Sequence, residues 1–237
     1  MPRFFSAALL LCLTLNAQAA DSYITRLLNK PVPGGVAVIE LGTGAQAPKA
    51  SYDGKPVMVI KEQDTWRAIV GIPLTVKPGT QRISSGGRDL SFAVGSKKYP
   101  EQRITLKNKR QVNPDPADIK RIDNELAIQI KAYRTFSPNT PSNLLLDKPV
   151  NGPLSSKFGV RRFFNGNTVF VDHGQGYISM FCHMSKIDTR VGQQLARGDV
   201  VGKVGSTGRA TGPHMHWNVS LNDARVDPAI FIGAFQP

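Results

Sequence analysis

Gly205-Ser206-Thr207-Gly208-Arg209-Ala210-Thr211-Gly212-Pro213-His214-Met215-His216-Trp217 is the stretch on which the reading of this chain turns. Its first part is a glycine-punctuated loop, and its end alternates imidazoles with apolar side chains. In an extended strand successive side chains leave opposite faces. His214 and His216 therefore point one way, and Met215 and Trp217 point the other, where a core would take them. Two imidazoles on one face can converge on a single ion or substrate atom. The sequence holds only four histidines, His173, His183, His214 and His216, all in its last third. A catalytic zinc usually takes three protein ligands plus a water, so the origin of the remaining donors becomes the central question.

The N-terminus reads as a secretory signal over residues 1–20. Arg3 supplies a positive n-region, Phe4 to Leu15 an apolar h-region, and Ala17-Gln18-Ala19 a small-residue cleavage site. The apolar run is shorter than the ~20 residues a membrane span needs. An exported, periplasmic protein with no transmembrane span after cleavage is expected. Removing the signal leaves one cysteine, Cys182, so no internal disulfide can form and stability must come from packed cores. Cys182 lies in the apolar-rich run Tyr177 to Cys182, which predicts a buried, inert thiol.

The formal net charge is +13, which draws an exported protein towards anionic partners. An anionic envelope surface is a candidate partner. The basic residues are scattered, as in Lys97-Lys98, Lys107 to Arg110 and Arg161-Arg162, and form no nucleic-acid module. A solvated surface that keeps the protein soluble explains them equally well.

The pattern along the chain predicts a mainly β protein. Residues 21–112 read as an N-terminal β-sandwich, with short runs at Val36–Leu41, Pro56–Ile60, Trp66–Ile72 and Leu90–Val94 separated by glycine, proline and polar turns. This unit holds no histidine and no cysteine after the signal, so binding or spacing is its expected task. Residues 113–143 read as a connecting helix and linker. Asp115 is an N-cap acceptor, Pro116 occupies the first helical position, and Ile119, Ile122, Leu126, Ile130 and Tyr133 form an apolar stripe at helical spacing. The stripe predicts a helix packed between two β units. Residues 144–237 are β-rich again, with runs at Asn167–Asp172, Tyr177–His183, Val200–Val204 and His214–Ser220, and a tight hairpin at His173-Gly174-Gln175-Gly176.

An ordered set of motifs runs through this last region. They are Ser155-Ser156-Lys157-Phe158-Gly159-Val160-Arg161, Val171-Asp172-His173-Gly174, Phe181-Cys182-His183-Met184-Ser185, Val191-Gly192-Gln193, Gly198-Asp199, Gly202, Gly205-Ser206-Thr207-Gly208 and Gly212-Pro213-His214-Met215-His216-Trp217. Together they resemble the lysostaphin-type zinc endopeptidases of peptidoglycan, over about Leu144 to Ile232. The preceding region resembles the β-domain of exported Gram-negative members. The resemblance implies a lysostaphin-type antiparallel sheet domain, hydrolysis of peptide cross-links in peptidoglycan, zinc as cofactor, His216 as a metal ligand, and His183 and His214 as catalytic residues.

In that family a histidine and an aspartate of an early His-x-x-x-Asp motif complete the zinc site. Here Arg161-Arg162-Phe163-Phe164-Asn165-Gly166 runs directly into Asn167-Thr168-Val169-Phe170, and no histidine precedes His173. The domain therefore reads as lacking a segment near 166–167, and hydrolysis is expected to be impaired. His173 is a conceivable substitute, but Asp172 and His173 cannot both aim inward without a bulge. Two readings stand: an endopeptidase whose zinc site is rebuilt from His216 with some of His214, His183 and His173, or a non-catalytic relative that binds cell wall or regulates a hydrolase.

Overall fold

The computed structural model describes residues 22–99, 115–154, 158–159, 166–208 and 210–232. The signal segment 1–20, the Lys107–Arg110 cluster and the Arg161–Arg162 pair lie outside them. A short helix α1 (Tyr23–Leu28), capped by the Ser22 hydroxyl, precedes strands β1 (Val36–Thr43), β2 (Ala50–Tyr52), β3 (Lys55–Pro56), β4 (Met58–Glu62), β5 (Thr65–Gly71), β6 (Gly79–Ser85) and β7 (Arg88–Val94). Helix α2 (Pro116–Tyr133) follows. Then come β8 (Val169–Gly174), β9 (Tyr177–Cys182), β10 (Lys186–Ile187), β11 (Gly202–Lys203), β12 (His216–Leu221), β13 (Ala224–Val226) and a 3-10 turn at Pro228–Phe231. The mainly β expectation holds.

Three antiparallel sheets stack face to face. The outer one has the order β3-β2-β6-β7, the middle one β1-β5-β4, and the C-terminal one β13-β12-β9-β8. The middle sheet is buried on both faces. Ala37, Ile39, Leu41, Val59, Ala68 and Val70 pack against Ala50, Tyr52, Ile83 and Val94 of the outer sheet, which is the core of the sandwich. From the opposite face Val36, Met58, Ile60 and Ile69 pack with Tyr177, Val219, Leu221, Val226, Ile230 and Phe231. This second core is shared between the N-terminal sandwich and the C-terminal sheet. Because both faces are apolar, β4 and β5 carry near-continuous runs, Met58-Val59-Ile60 and Ala68-Ile69-Val70, instead of strict alternation.

Polar contacts fix the same junction. Both two-residue hairpins of the C-terminal sheet have turn residues at positive φ, Gln175 (48°) with Gly176 (75°) and Asn222 (41°) with Asp223 (62°). This is the backbone that tight hairpins require. Their side chains reach into the sandwich. Gln175 Oε1 accepts from the Val59 amide at 2.9 Å, while Asn222 Oδ1 accepts from Gly71 N at 2.7 Å and its Nδ2 donates to Gly71 O at 3.0 Å. Gly71 is needed for this approach, since a Cβ there would sit 2.7 Å from the Leu221 carbonyl oxygen. Asp223 gathers Lys55, Arg134 and Arg225 at 3.3, 3.2 and 2.9 Å. Partial burial pulls its carboxyl up, but hydrogen bonds from those three cations outweigh it and hold the group below the usual carboxylate value.

Helix α2 starts where its cap signal places it, but its stripe is not covered as expected. Only Tyr133 is buried, against Ile178, Met180 and Cys182 on the outward face of the C-terminal sheet, and Arg225 lies 3.4 Å over its ring. Ile119 and Leu126 remain 46% and 47% exposed. Among the described residues the helix meets the C-terminal sheet through Tyr133 in its last turn.

Candidate active site

The C-terminal sheet positions the histidines. Cys182 on β9 pairs directly with His216 on β12, and Met180 with Asn218, so these four side chains share the face that carries Tyr133. Trp217, Val219 and Leu221 fall on the other face, in the shared core. The alternation read from the sequence thus holds through the start of β12.

The loop that opens the decisive stretch holds the other two imidazoles. His183 follows β9 with φ +67°, a left-handed backbone that costs a branched or bulky residue strain, and is 1% exposed. Its Nδ1 lies 2.8 Å from the Thr207 carbonyl oxygen. His214 is tied to the same loop by its amide, which donates to Gly205 O at 3.0 Å, and its Nδ1 lies 2.8 Å from Gly212 O. A carbonyl only accepts, so each Nδ1 carries a proton. The His183 ring centroid lies 4.7 Å from that of His214 and 6.3 Å from that of His216. The structure brings these three together.

His173 is separated from them. A register shift between Asp172 and Gly174 supplies the bulge that the sequence would require. It aims the ring at Ser179 Oγ, 2.9 Å away, and against the Tyr177 ring at 4.9 Å. Ser179 and Cys182 are an odd number of residues apart on β9, so His173 occupies the face opposite to His216. The substitute donor is thereby excluded. Burial pushes the His173 pKa below the usual histidine value, with the Asp172 carboxylate offsetting only part of the shift. A histidine whose folded pKa is depressed stabilises the fold fully above its ordinary value of about 6.5, and that stability is lost as pH falls through the window below it. Urea titrations across this range are expected to show a slope that His173→Gln flattens; an unchanged slope would contradict the assignment.

Cys182 is buried, as expected. Desolvation raises its thiol pKa, and the Thr168 hydroxyl donating to Sγ at 3.3 Å offsets part of that rise, so the group is poorly suited to act as a nucleophile.

Among the described residues no group of three or more histidine, cysteine, aspartate or glutamate side chains is placed to hold a metal ion. The three clustered imidazoles are groups that can exchange protons and form hydrogen bonds.

Sequence comparison fits this geometry. Residues 29–97 match the Peptidase family M23 N-terminal domain, and residues 152–228 match Peptidase family M23. A solved structure from Pseudomonas aeruginosa assigned to peptidase M23 is 55% identical, with a TM-score of 0.79, covering 90% of this chain and 100% of that one. The chain belongs to peptidase family M23. Its curated M23 relatives include the peptidoglycan DD-endopeptidase ShyA of Vibrio cholerae, 43% identical over 27% of this chain and 15% of the relative. The DD-carboxypeptidase/endopeptidase Mpg of Neisseria meningitidis is 40% identical over 27% of this chain and 14% of that protein. A Haemophilus influenzae metalloprotease is 35% identical over 62% of this chain and 33% of its own length. The matched stretches span a third or less of these relatives.

Thr207 is the site residue that sequence reading passed over. Its only signal was its place in the glycine-punctuated run, where it looked like loop material.

Proposed function

We propose that this M23 chain is an exported, periplasmic protein that engages peptidoglycan through its C-terminal unit, and that its hydrolysis of peptide cross-links is impaired. One observation carries the reading. His183, His214 and His216 converge, while the sequence has no histidine upstream of His173 to complete the donor set. The names of the V. cholerae and N. meningitidis relatives support the substrate class. Export rests on Arg3, the apolar run Phe4 to Leu15 and Ala17-Gln18-Ala19. No helix among the described residues is long and apolar enough to cross a membrane.

In this reading His216 is the one retained metal ligand, and zinc is held weakly or not at all. His183 and His214, each with its Nδ1 held by a carbonyl oxygen, are the proton-exchanging groups of this reading. The second reading, a wall-binding or hydrolase-regulating relative, is favoured by the incomplete donor set and differs from the first only in residual turnover. Incubating the mature protein with insoluble peptidoglycan separates them. Co-sedimentation is expected, with muropeptide release close to the blank, and any residual release disappears in His214→Ala. Vigorous zinc-dependent release would overturn the impairment, and failure to sediment would overturn the substrate class.

A further inference from the structure

We infer that Thr207 is a positioning residue for His183: it fixes the left-handed turn at the end of β9 and locks the His183 imidazole as the Nδ1–H tautomer, with the lone pair on Nε2. The inference rests on the reading of His183 as a proton-handling residue, but its structural content does not depend on turnover.

Thr207 meets the His183 turn through both of its oxygens. The backbone carbonyl accepts from His183 Nδ1 at 2.8 Å. The hydroxyl donates to the Met184 carbonyl at 3.0 Å and accepts from the Asn167 amide at 3.0 Å. Met184 N then donates to Asn167 O at 3.1 Å, closing a ring of hydrogen bonds among Asn167, Met184 and Thr207. Both the donor and an acceptor site of the hydroxyl are used, a combination that valine lacks and serine retains. The ring grips the peptide groups on the C-terminal side of His183, whose positive φ would otherwise relax. A free imidazole in water populates both tautomers, and a fixed carbonyl at Nδ1 selects one.

Gly166 lies beside the same carbonyl. A Cβ on Gly166 would lie 2.6 Å from Thr207 O and 2.9 Å from its carbonyl carbon. The junction Gly166–Asn167, where the sequence departs from the family pattern, is thus in direct contact with the residue that aims His183. Gly166→Ala therefore disturbs the carbonyl while leaving Thr207 and His183 chemically intact.

The test is nitrogen NMR of the imidazoles in the full mature protein, metal-free, at about pH 8.5 where histidine is neutral. Wild type and Thr207→Ser are expected to show His183 as a single Nδ1–H tautomer, and Thr207→Val a mixture of both. If Thr207→Val retains the single tautomer and only melts earlier, Thr207 is merely structural and the inference is overturned; equal loss in Thr207→Ser overturns it as well. Should Thr207→Val fail to fold, Gly166→Ala decides: a mixed tautomer supports the inference and a single Nδ1–H form refutes it. None of these readouts requires hydrolysis, so a failure of the proposed function in the muropeptide assay would be seen separately.

Discussion

Tyr177→Ala is expected to destabilise the protein by about 3–5 kcal/mol, the range for deleting a large aromatic side chain from a core. Tyr177 is 0% exposed, lies 5.2 Å from the Phe231 ring, and donates its hydroxyl to Leu144 O at 3.1 Å. The substitution removes buried area, opens a cavity and strands a carbonyl. Its core also contains Met58, Ile60 and Ile69 of the sandwich. Loss of packing is therefore expected to reach the N-terminal unit, and sandwich and C-terminal sheet should unfold in one transition in both wild type and variant. Two separated transitions in chemical denaturation, with the sandwich unaffected by Tyr177→Ala, would show that the shared core does not couple them.

A still larger effect is expected from restoring the missing donors. Inserting a His-x-x-x-Asp-containing segment on the Gly166 side of Asn167, a placement chosen to spare the Asn167–Thr207 contact, adds the histidine and aspartate of the motif that the sequence lacks between Gly166 and Asn167. Zinc held by a full donor set lowers the pKa of its bound water from 15.7 to about 7. Muropeptide release is expected to rise on the order of 10²-fold or more, since charge stabilisation by a fully held zinc is worth several kcal/mol and each ~1.4 kcal/mol is tenfold in rate. Equal zinc-dependent release by the chain with and without the segment would mean that the donor set is already complete.

Much of this was legible in the sequence where a local rule decides the outcome. Alternation puts His216 and Trp217 on opposite faces of β12, the Gln175-Gly176 hairpin forms as its turn residues require, and Asp115-Pro116 marks the start of α2. What escaped depended on long-range contacts. The runs Met58–Ile60 and Ala68–Val70 carry the signature of strands buried on both faces, but nothing local says that the second face belongs to Tyr177 and Phe231. The stripe on α2 shows which side is apolar without showing what covers it. The face taken by His173 depends on a one-residue bulge. Strand β6 carries no clear sequence signal, since mainly Ile83 and Ser85 are buried along a polar run, and the expected strand at Val200–Val204 shrinks to Gly202–Lys203, leaving Val200 and Val204 exposed.

The central claim is that three gathered histidines fall short of a zinc site in this chain. The most direct measurement is the zinc content of the purified mature protein after equilibration with one equivalent of zinc and removal of loosely held metal by gel filtration. The account expects far less than one zinc per chain, with no change in His183→Ala. One zinc retained per chain, lost on His216→Ala, would contradict it.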